Sequence, residues 1–220
     1  MSGYVQIVFA LDLFLASACI NSPTAPAQSS KLRDTFDLQK LRSIGSAISK
    51  AQAEKRLPGG VLWIEHNGVH FTRAYGKARV EPIHVSAQRD TIYDAASLTK
   101  VVATTPAVML LHQRGILDIN DPVKKFLPEF SRQGRDAVTI RHLLTHTSGL
   151  RPDISIYGWD GHAECIAKCV AENLRAQPME KFIYSDINFQ LLDEIVRRVT
   201  KQKLDLFCEQ EIFGPLKMVD

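Results

Sequence analysis

Residues Val101 to Leu111 read Val-Val-Ala-Thr-Thr-Pro-Ala-Val-Met-Leu-Leu, an apolar segment entered directly from Asp94-Ala95-Ala96-Ser97-Leu98-Thr99-Lys100. The pattern predicts an apolar helix from about Ser97 to Arg114, and the rest of the chain is organised around it. Gly115 is well placed as its left-handed stop. Pro106 is a misfit about two turns in, because it lacks the amide that the helical ladder needs; it predicts a kink, or a break near Thr105.

The start of this segment carries chemistry. A serine hydroxyl is a poor nucleophile at neutral pH and needs a nearby base and a way to stabilise developing charge. Ser97 and Lys100 are three residues apart, so a helix beginning at or just before Ser97 stacks the amine one turn beyond the hydroxyl on the same face. Unpaired amides and the positive dipole end at a helix start add a field that favours negative charge on the serine oxygen. The plainer reading is that Ser97 caps the helix and Lys100 is solvated.

Upstream, Phe36 to Lys55 places apolar residues at Phe36, Leu38, Leu41, Ile44, Ala47, Ile48 and Ala51, close to a 3.6-residue period. This predicts an amphipathic helix capped by Thr35 or Asp34 and ended at Pro58-Gly59-Gly60. Val61 to Glu65 and Val69 to Tyr75 flank Asn67-Gly68, a strong signal for a two-stranded hairpin. Gly76 to Arg89 has no clear period and reads as a connection. Downstream, Asp121 is expected to cap a short helix opening with Pro122. Thr139 is expected to cap another that Gly149 closes, and Asp160 to Ala176, Asp186 to Thr200 and Leu204 to Phe213 read as further helices.

His142 and His146 are four apart, as in a zinc site, but the Glu beside the first His and a third ligand are both lacking. Cys165 and Cys169 share that spacing without a completing His or Cys pair, so buried free thiols are the expectation. The composition, 45% hydrophobic and 23% charged over 220 residues, is ordinary for a globular protein with a sizeable core. The net charge of +3 comes from scattered basic residues, and nucleic acid is not an implied partner.

Val5 to Ala18 is apolar, interrupted by Asp12, and too short to span a bilayer. It resembles a signal segment, with Ala16-Ser17-Ala18 and Ala25-Pro26-Ala27 as cleavage-type patterns, and implies a periplasmic or secreted protein. Cys19 as a lipid anchor is an alternative, and so is a buried N-terminal helix or a wrongly chosen start codon, because Met1 to Gln6 lacks Lys and Arg and a charge sits inside the apolar run. Asn21 to Ser30 reads as a flexible tether. The expected organisation is a signal-like segment and tether over residues 1–30, followed by one domain over 31–220.

Four blocks become specific when taken in order: Asp94 to Lys100, Gly115 to Pro122, Thr139 to Leu150 (Thr-Ile-Arg-His-Leu-Leu-Thr-His-Thr-Ser-Gly-Leu) and Tyr184-Ser185-Asp186-Ile187-Asn188-Phe189. Together they resemble the serine beta-lactamase-related family, in its branch of class C beta-lactamases, family VIII esterases and D-alanyl-D-alanine carboxypeptidases. The resemblance covers roughly Leu57 to Asp220. It implies an α+β, beta-lactamase/transpeptidase-like fold, here a helical domain plus the first two strands of an antiparallel sheet.

It also implies an acyl-enzyme hydrolase of esters, peptides or beta-lactams, with no metal or organic cofactor. Ser97 matches the acylated nucleophile, Lys100 its helix partner and Tyr184 the general base. A free tyrosine titrates near 10, so that role requires a neighbouring cation, for which Lys100 is the candidate. Asp186 and Asn188 are the expected substrate-binding positions. Asp186 stands where class C enzymes usually have Asn, and a carboxylate cannot donate to a substrate carbonyl, which favours esters or peptides over beta-lactams. The family's Lys-Thr-Gly or His-Thr-Gly motif, which supplies an oxyanion-hole amide, does not follow Tyr184. A poorly active chain is therefore expected, with a catalytically inactive fragment or penicillin-recognition-like binding module as the alternative.

Overall fold

The computed structural model describes residues 25–132, 134–154 and 160–218. They divide between two units, one ending at Asp94 and the other beginning at Ala95.

In the first unit, helices α1 (Ala25–Thr35) and α2 (Leu38–Ala53) precede strands β1 (Gly59–His66), β2 (Val69–Arg79) and β3 (Val85–Ser86). The chain turns from β1 into β2 at Asn67 and Gly68, both at positive φ (51° and 75°), as a tight two-residue hairpin turn requires. The register follows directly, with His66 opposite Val69 and Trp63 opposite Thr72. Trp63 then stacks on His70 at 4.3 Å between ring centroids.

Three expectations are corrected in this unit. The helix cap is Asp37, not Thr35 or Asp34: its carboxylate accepts the amides of Gln39 at 2.8 Å and Lys40 at 3.2 Å. The expected tether is helical from Ala25, where Ala, Gln, Lys, Leu and Arg supply helix-favouring residues. The sheet has three strands in the order β1-β2-β3, because β2 runs past Tyr75 to Arg79 and a short β3 returns against it. Residues 76–89 lack a period because the pairing of β2 with β3 is broken by a register shift between Lys77 and Arg79.

The second unit is helical. A single 3₁₀ turn (Ala96–Leu98) and a π-helical turn (Lys100–Thr104) lead into α3 (Thr105–Gln113). The kink or break expected near Thr105 is instead a change of helical pitch: Thr105 N–H bonds back to the Lys100 carbonyl while the backbone stays helical through Thr104 and Thr105, and Pro106 lies at the start of α3. Gly115 follows at φ +69° and stops the helix. Beyond it come α4 (Ile140–Leu144), α5 (Gly161–Ala171), α6 (Asp186–Thr200) and α7 (Leu204–Cys208).

The core of this unit forms where the apolar faces meet. Ala107, Val108 and Leu111 of α3 and Ile187, Leu191, Leu192 and Ile195 of α6 are fully buried with Phe130, Ile140, Leu143 and Leu150. The spacing of the α6 residues is the i, i+4, i+5, i+8 stripe of a helix with one buried face. Cys165 and Cys169 are buried free thiols, as expected, and so is Cys208.

Asp121 does not cap a helix. Its carboxylate accepts the Asp118 amide at 2.9 Å and the Lys125 ammonium at 2.7 Å, closing the turn before it, and Pro122 occupies the cap position of a 3₁₀ turn. Thr139 does cap α4: its hydroxyl accepts the His142 amide at 3.3 Å, while His142 Nδ1 accepts the Thr139 amide at 3.2 Å. Helix α5 ends at Ala171 rather than Ala176, because the chain beyond it is drawn against another segment.

That segment, residues 146–152, acts as a rail. The amides of Arg175, Met179, Ile183 and Asp186 donate to the carbonyls of Gly149 (2.7 Å), Thr147 (2.8 Å), His146 (2.9 Å) and Pro152 (2.7 Å). Ser185 Oγ adds a bond to the Arg151 carbonyl at 2.7 Å. Gly149, at φ +85°, is required here: a β-carbon on it would lie 2.0 Å from the Ala176 carbonyl oxygen. The block that carries the resemblance most visibly in sequence thus holds the chain that leads to Tyr184.

Candidate active site

The local fold brings Ser97, Lys100, Tyr184 and Asp186 together. Ser97 sits in the 3₁₀ turn, preceded by Ala96 in the left-handed region at φ +44°, and its side chain faces solvent. Such a conformation is costly for a residue with a β-carbon and is found preferentially at functional sites. One turn on, Lys100 Nζ donates to Ser97 Oγ at 3.3 Å. The sequence spacing anticipated this contact, although the backbone delivering it passes from 3₁₀ to π geometry instead of forming a regular α-helix.

Tyr184 lies on the extended chain just before α6, and its ring stands 5.1 Å from Lys100 Nζ. Hydrogen bonds from Ser97 and then Lys100, with the lysine's positive charge, hold the phenol below its ordinary pKa, while the Asp186 charge opposes them. Lys100 moves in the complementary direction. Desolvation pulls its ammonium down, but hydrogen bonds to Asp186 and Tyr184 outweigh that and raise its pKa. The two shifts are complementary: the phenol gives up its proton more readily than a free tyrosine, and the ammonium holds its own more tightly.

The two expected substrate-binding positions differ: one lies in the site and the other in the core. Asp186 forms an ion pair with Lys100, with Oδ1 at 2.5 Å from Nζ, so its carboxylate is engaged within the site. Ser185, not Asp186, holds the cap position of α6. Asn188 is fully buried; it accepts the Ser148 hydroxyl at 2.7 Å, and its Nδ2 lies 3.4 Å from His146 Nδ1. It cannot reach a substrate. Its side chain faces the core because α6 turns that face inward, a register that sequence spacing from Tyr184 does not reveal.

His142 and His146 do not converge on a metal: among the described residues there is no group of three or more His, Cys, Asp or Glu side chains able to hold one. His142 belongs to the α4 cap. His146 packs beneath the site, its ring 4.5 Å from that of Tyr184 and 5.2 Å from that of Phe189.

A hydroxyl, an ammonium and a phenol held below its ordinary pKa thus meet at the entrance of an apolar helix, as the resemblance to beta-lactamase-fold proteins led one to expect. The chain belongs to the Beta-lactamase family, whose family model matches residues 44–220.

A relative from Escherichia coli (strain K12), "Putative D-alanyl-D-alanine carboxypeptidase", is 29% identical over 230 residues, covering 94% of this chain and 52% of its own length. The chain thus spans about half the length of the curated relatives it matches. Among solved structures, the octameric penicillin-binding protein homologue from Pyrococcus abyssi is 29% identical, with a TM-score of 0.68 over 83% of this chain and 43% of that one. Simvastatin synthase from Aspergillus terreus is 27% identical, with a TM-score of 0.63 over 80% of this chain and 52% of that one. The class C beta lactamase from Rhodobacter sphaeroides, 23% identical over 78% of this chain and 47% of that one, shares the fold with a TM-score of 0.66.

Proposed function

We propose that the chain carries the acyl-transfer site of a serine hydrolase, with Ser97 as nucleophile, Tyr184 as general base and Lys100 as the cation that keeps the phenol acidic. The observation that carries this reading is the contact set among the three: Lys100 Nζ 3.3 Å from Ser97 Oγ, and a Tyr184 phenol acidified by hydrogen bonds from both.

The chemistry follows from the charges. Tyr184 as phenolate removes the proton of Ser97 as Oγ attacks the substrate carbonyl, and the protonated phenol returns that proton to the leaving alcohol or amine. A water molecule then repeats the sequence against the acyl-enzyme, which restores Ser97. Lys100 stays protonated throughout and donates no proton of its own.

The engagement of Asp186 with Lys100 supports short-chain esters over beta-lactams, because this position offers the substrate no amide donor. The signal-like N-terminus, Cys19 included, lies outside the described residues and supports a periplasmic or secreted location; among the described residues no helix is long and apolar enough to cross a membrane.

Labelling with a fluorophosphonate tests the assignment. The 220-residue chain, expected to be poorly active, should be labelled slowly, and Ser97→Ala should not be labelled at all. Labelling that survives the substitution would move the nucleophile elsewhere. A short p-nitrophenyl ester should also be turned over with higher kcat/KM than a chromogenic cephalosporin.

A further inference from the structure

We propose that His146 is a positioning residue for Tyr184, which it grips from both sides through the backbone of the two neighbouring residues. The inference rests on the reading of Tyr184 as general base. The His146 carbonyl accepts the Ile183 amide at 2.9 Å, and its imidazole Nδ1 accepts the Ser185 amide at 3.1 Å. Residue 184 hangs between these two bonds. The imidazole ring also lies against the phenol ring, 4.5 Å between centroids and tilted by 34°.

One residue can make both backbone bonds because of its own conformation. His146 follows the C-terminus of α4 at φ +58°, a left-handed geometry, and there it presents carbonyl and imidazole to the same three-residue stretch. The adjoining Thr147 amide, bonded to the His142 carbonyl at 2.9 Å, ties this turn to α4. A histidine in this strained region, with Nδ1 spent on a main-chain amide, is more specific than ring packing alone would need.

The acceptor role fixes the ring's state. Nδ1 can accept only while unprotonated, so the ring is neutral with its proton on Nε2. Three titratable groups bear on it. Burial first, and then the Lys100 charge, hold its pKa below the ordinary histidine range, Asp186 pulls the other way, and Tyr184 stacks on the ring. Asn188 Nδ2, 3.4 Å from the same nitrogen, approaches as a second donor.

The test uses variants that separate the acceptor from the ring. His146→Asn places an amide oxygen close to the position of Nδ1 and tolerates positive φ. His146→Gln carries the oxygen one carbon too far, and His146→Phe keeps a stacking ring with no acceptor. Fluorophosphonate labelling of Ser97 is followed with kinact and KI resolved, thermal unfolding is recorded for each variant, and hydrogen exchange of the Ser185 amide is measured.

Misplacing a catalytic group by about 1 Å can cost on the order of a hundredfold, so kinact should fall roughly tenfold to a hundredfold in His146→Gln and His146→Phe, with KI within about twofold. His146→Asn should restore kinact to within about threefold of the parent chain and keep the Ser185 amide protected, with faster exchange in the other two. Equal losses in Asn and Gln, or no loss in Phe, would overturn the proposal, as would a change confined to KI. If the parent chain is not labelled at all, the acyl-transfer reading fails; Ser185 exchange still decides whether His146 holds the chain.

Discussion

Lys100 is the residue on which the site turns, because it touches the nucleophile, the base and a carboxylate at once. Arginine would keep the charge but replace a compact ammonium with a planar fork that cannot meet three partners in this geometry. Lys100→Arg should therefore lower the labelling rate of Ser97 by roughly a hundredfold or more, and near-normal labelling would show that charge alone suffices. The charges also set a pH dependence. Labelling should rise as Tyr184 loses its proton, below the ordinary phenol range, and fall only where Lys100 loses its own, above the ordinary lysine range. These limbs belong to the coupled pair, not to either residue alone. Asp186→Asn should shift selectivity: it removes the counter-charge on Lys100 and supplies an amide donor, so the ratio of cephalosporin to ester turnover should increase.

At this scale the sequence was legible in part. Ser97 and Lys100 could be paired from their spacing, since any helical turn brings residues three apart together. Tyr184 came from its motif alone, 84 residues beyond Lys100. Asn188 was read as a substrate contact because a motif gives order, not direction, and its side chain points into the core, whereas Asp186 lies in the site against Lys100. From sequence His146 was legible only as half of an incomplete zinc-like spacing; its hold on both neighbours of Tyr184 depends on a left-handed backbone that no residue type announces.

At the scale of elements, the rail of residues 146–152 determines where Tyr184 stands. Gly149→Ala would force a β-carbon to 2.0 Å from the Ala176 carbonyl oxygen at a φ of +85°, so the rail and the chain hanging on it must separate locally. We expect a loss of about 2 to 4 kcal/mol in urea unfolding, accompanied by slower labelling. An unchanged midpoint would mean that the close approach is not maintained in solution. The hairpin, the cap at Thr139 and the irregular turn before Pro106 were readable because each rests on local chemistry: a primed turn, a hydroxyl acceptor and a missing amide. The cap at Asp37, the short β3 and the early end of α5 were not. The strand and the helix end depend on what a segment meets elsewhere, whereas Asp37 and Asp121 find partners within four residues, where several nearby acceptors compete and spacing alone does not choose among them.

For the whole chain, protonation links the site to stability. The folded-state pKa of His146 is lowered, so between that value and the ordinary 6.5 or so the unfolded chain binds more protons. The stability held by the neutral ring is complete above about 6.5 and is lost as pH falls toward the folded value. The parent chain should lose more of its urea midpoint between pH 7.5 and pH 5 than His146→Asn does, since that variant has nothing to titrate at this position. Parallel losses would assign the effect to other groups, of which His142, also lowered by burial, is the nearest candidate.

The central claim, that Ser97 is activated by Tyr184 beside Lys100, is tested most directly by mapping the site of covalent reaction. Trypsin cleaves after Arg89 and Lys100 and releases Asp90 to Lys100, in which Ser97 is the only serine. After fluorophosphonate treatment, fragmentation of this peptide should place the adduct on Ser97 in the parent chain. The yield should fall by roughly a hundredfold in Tyr184→Phe, the loss typical of a missing general base. An adduct on any other residue, or full modification of Ser97 in Tyr184→Phe, would contradict the account.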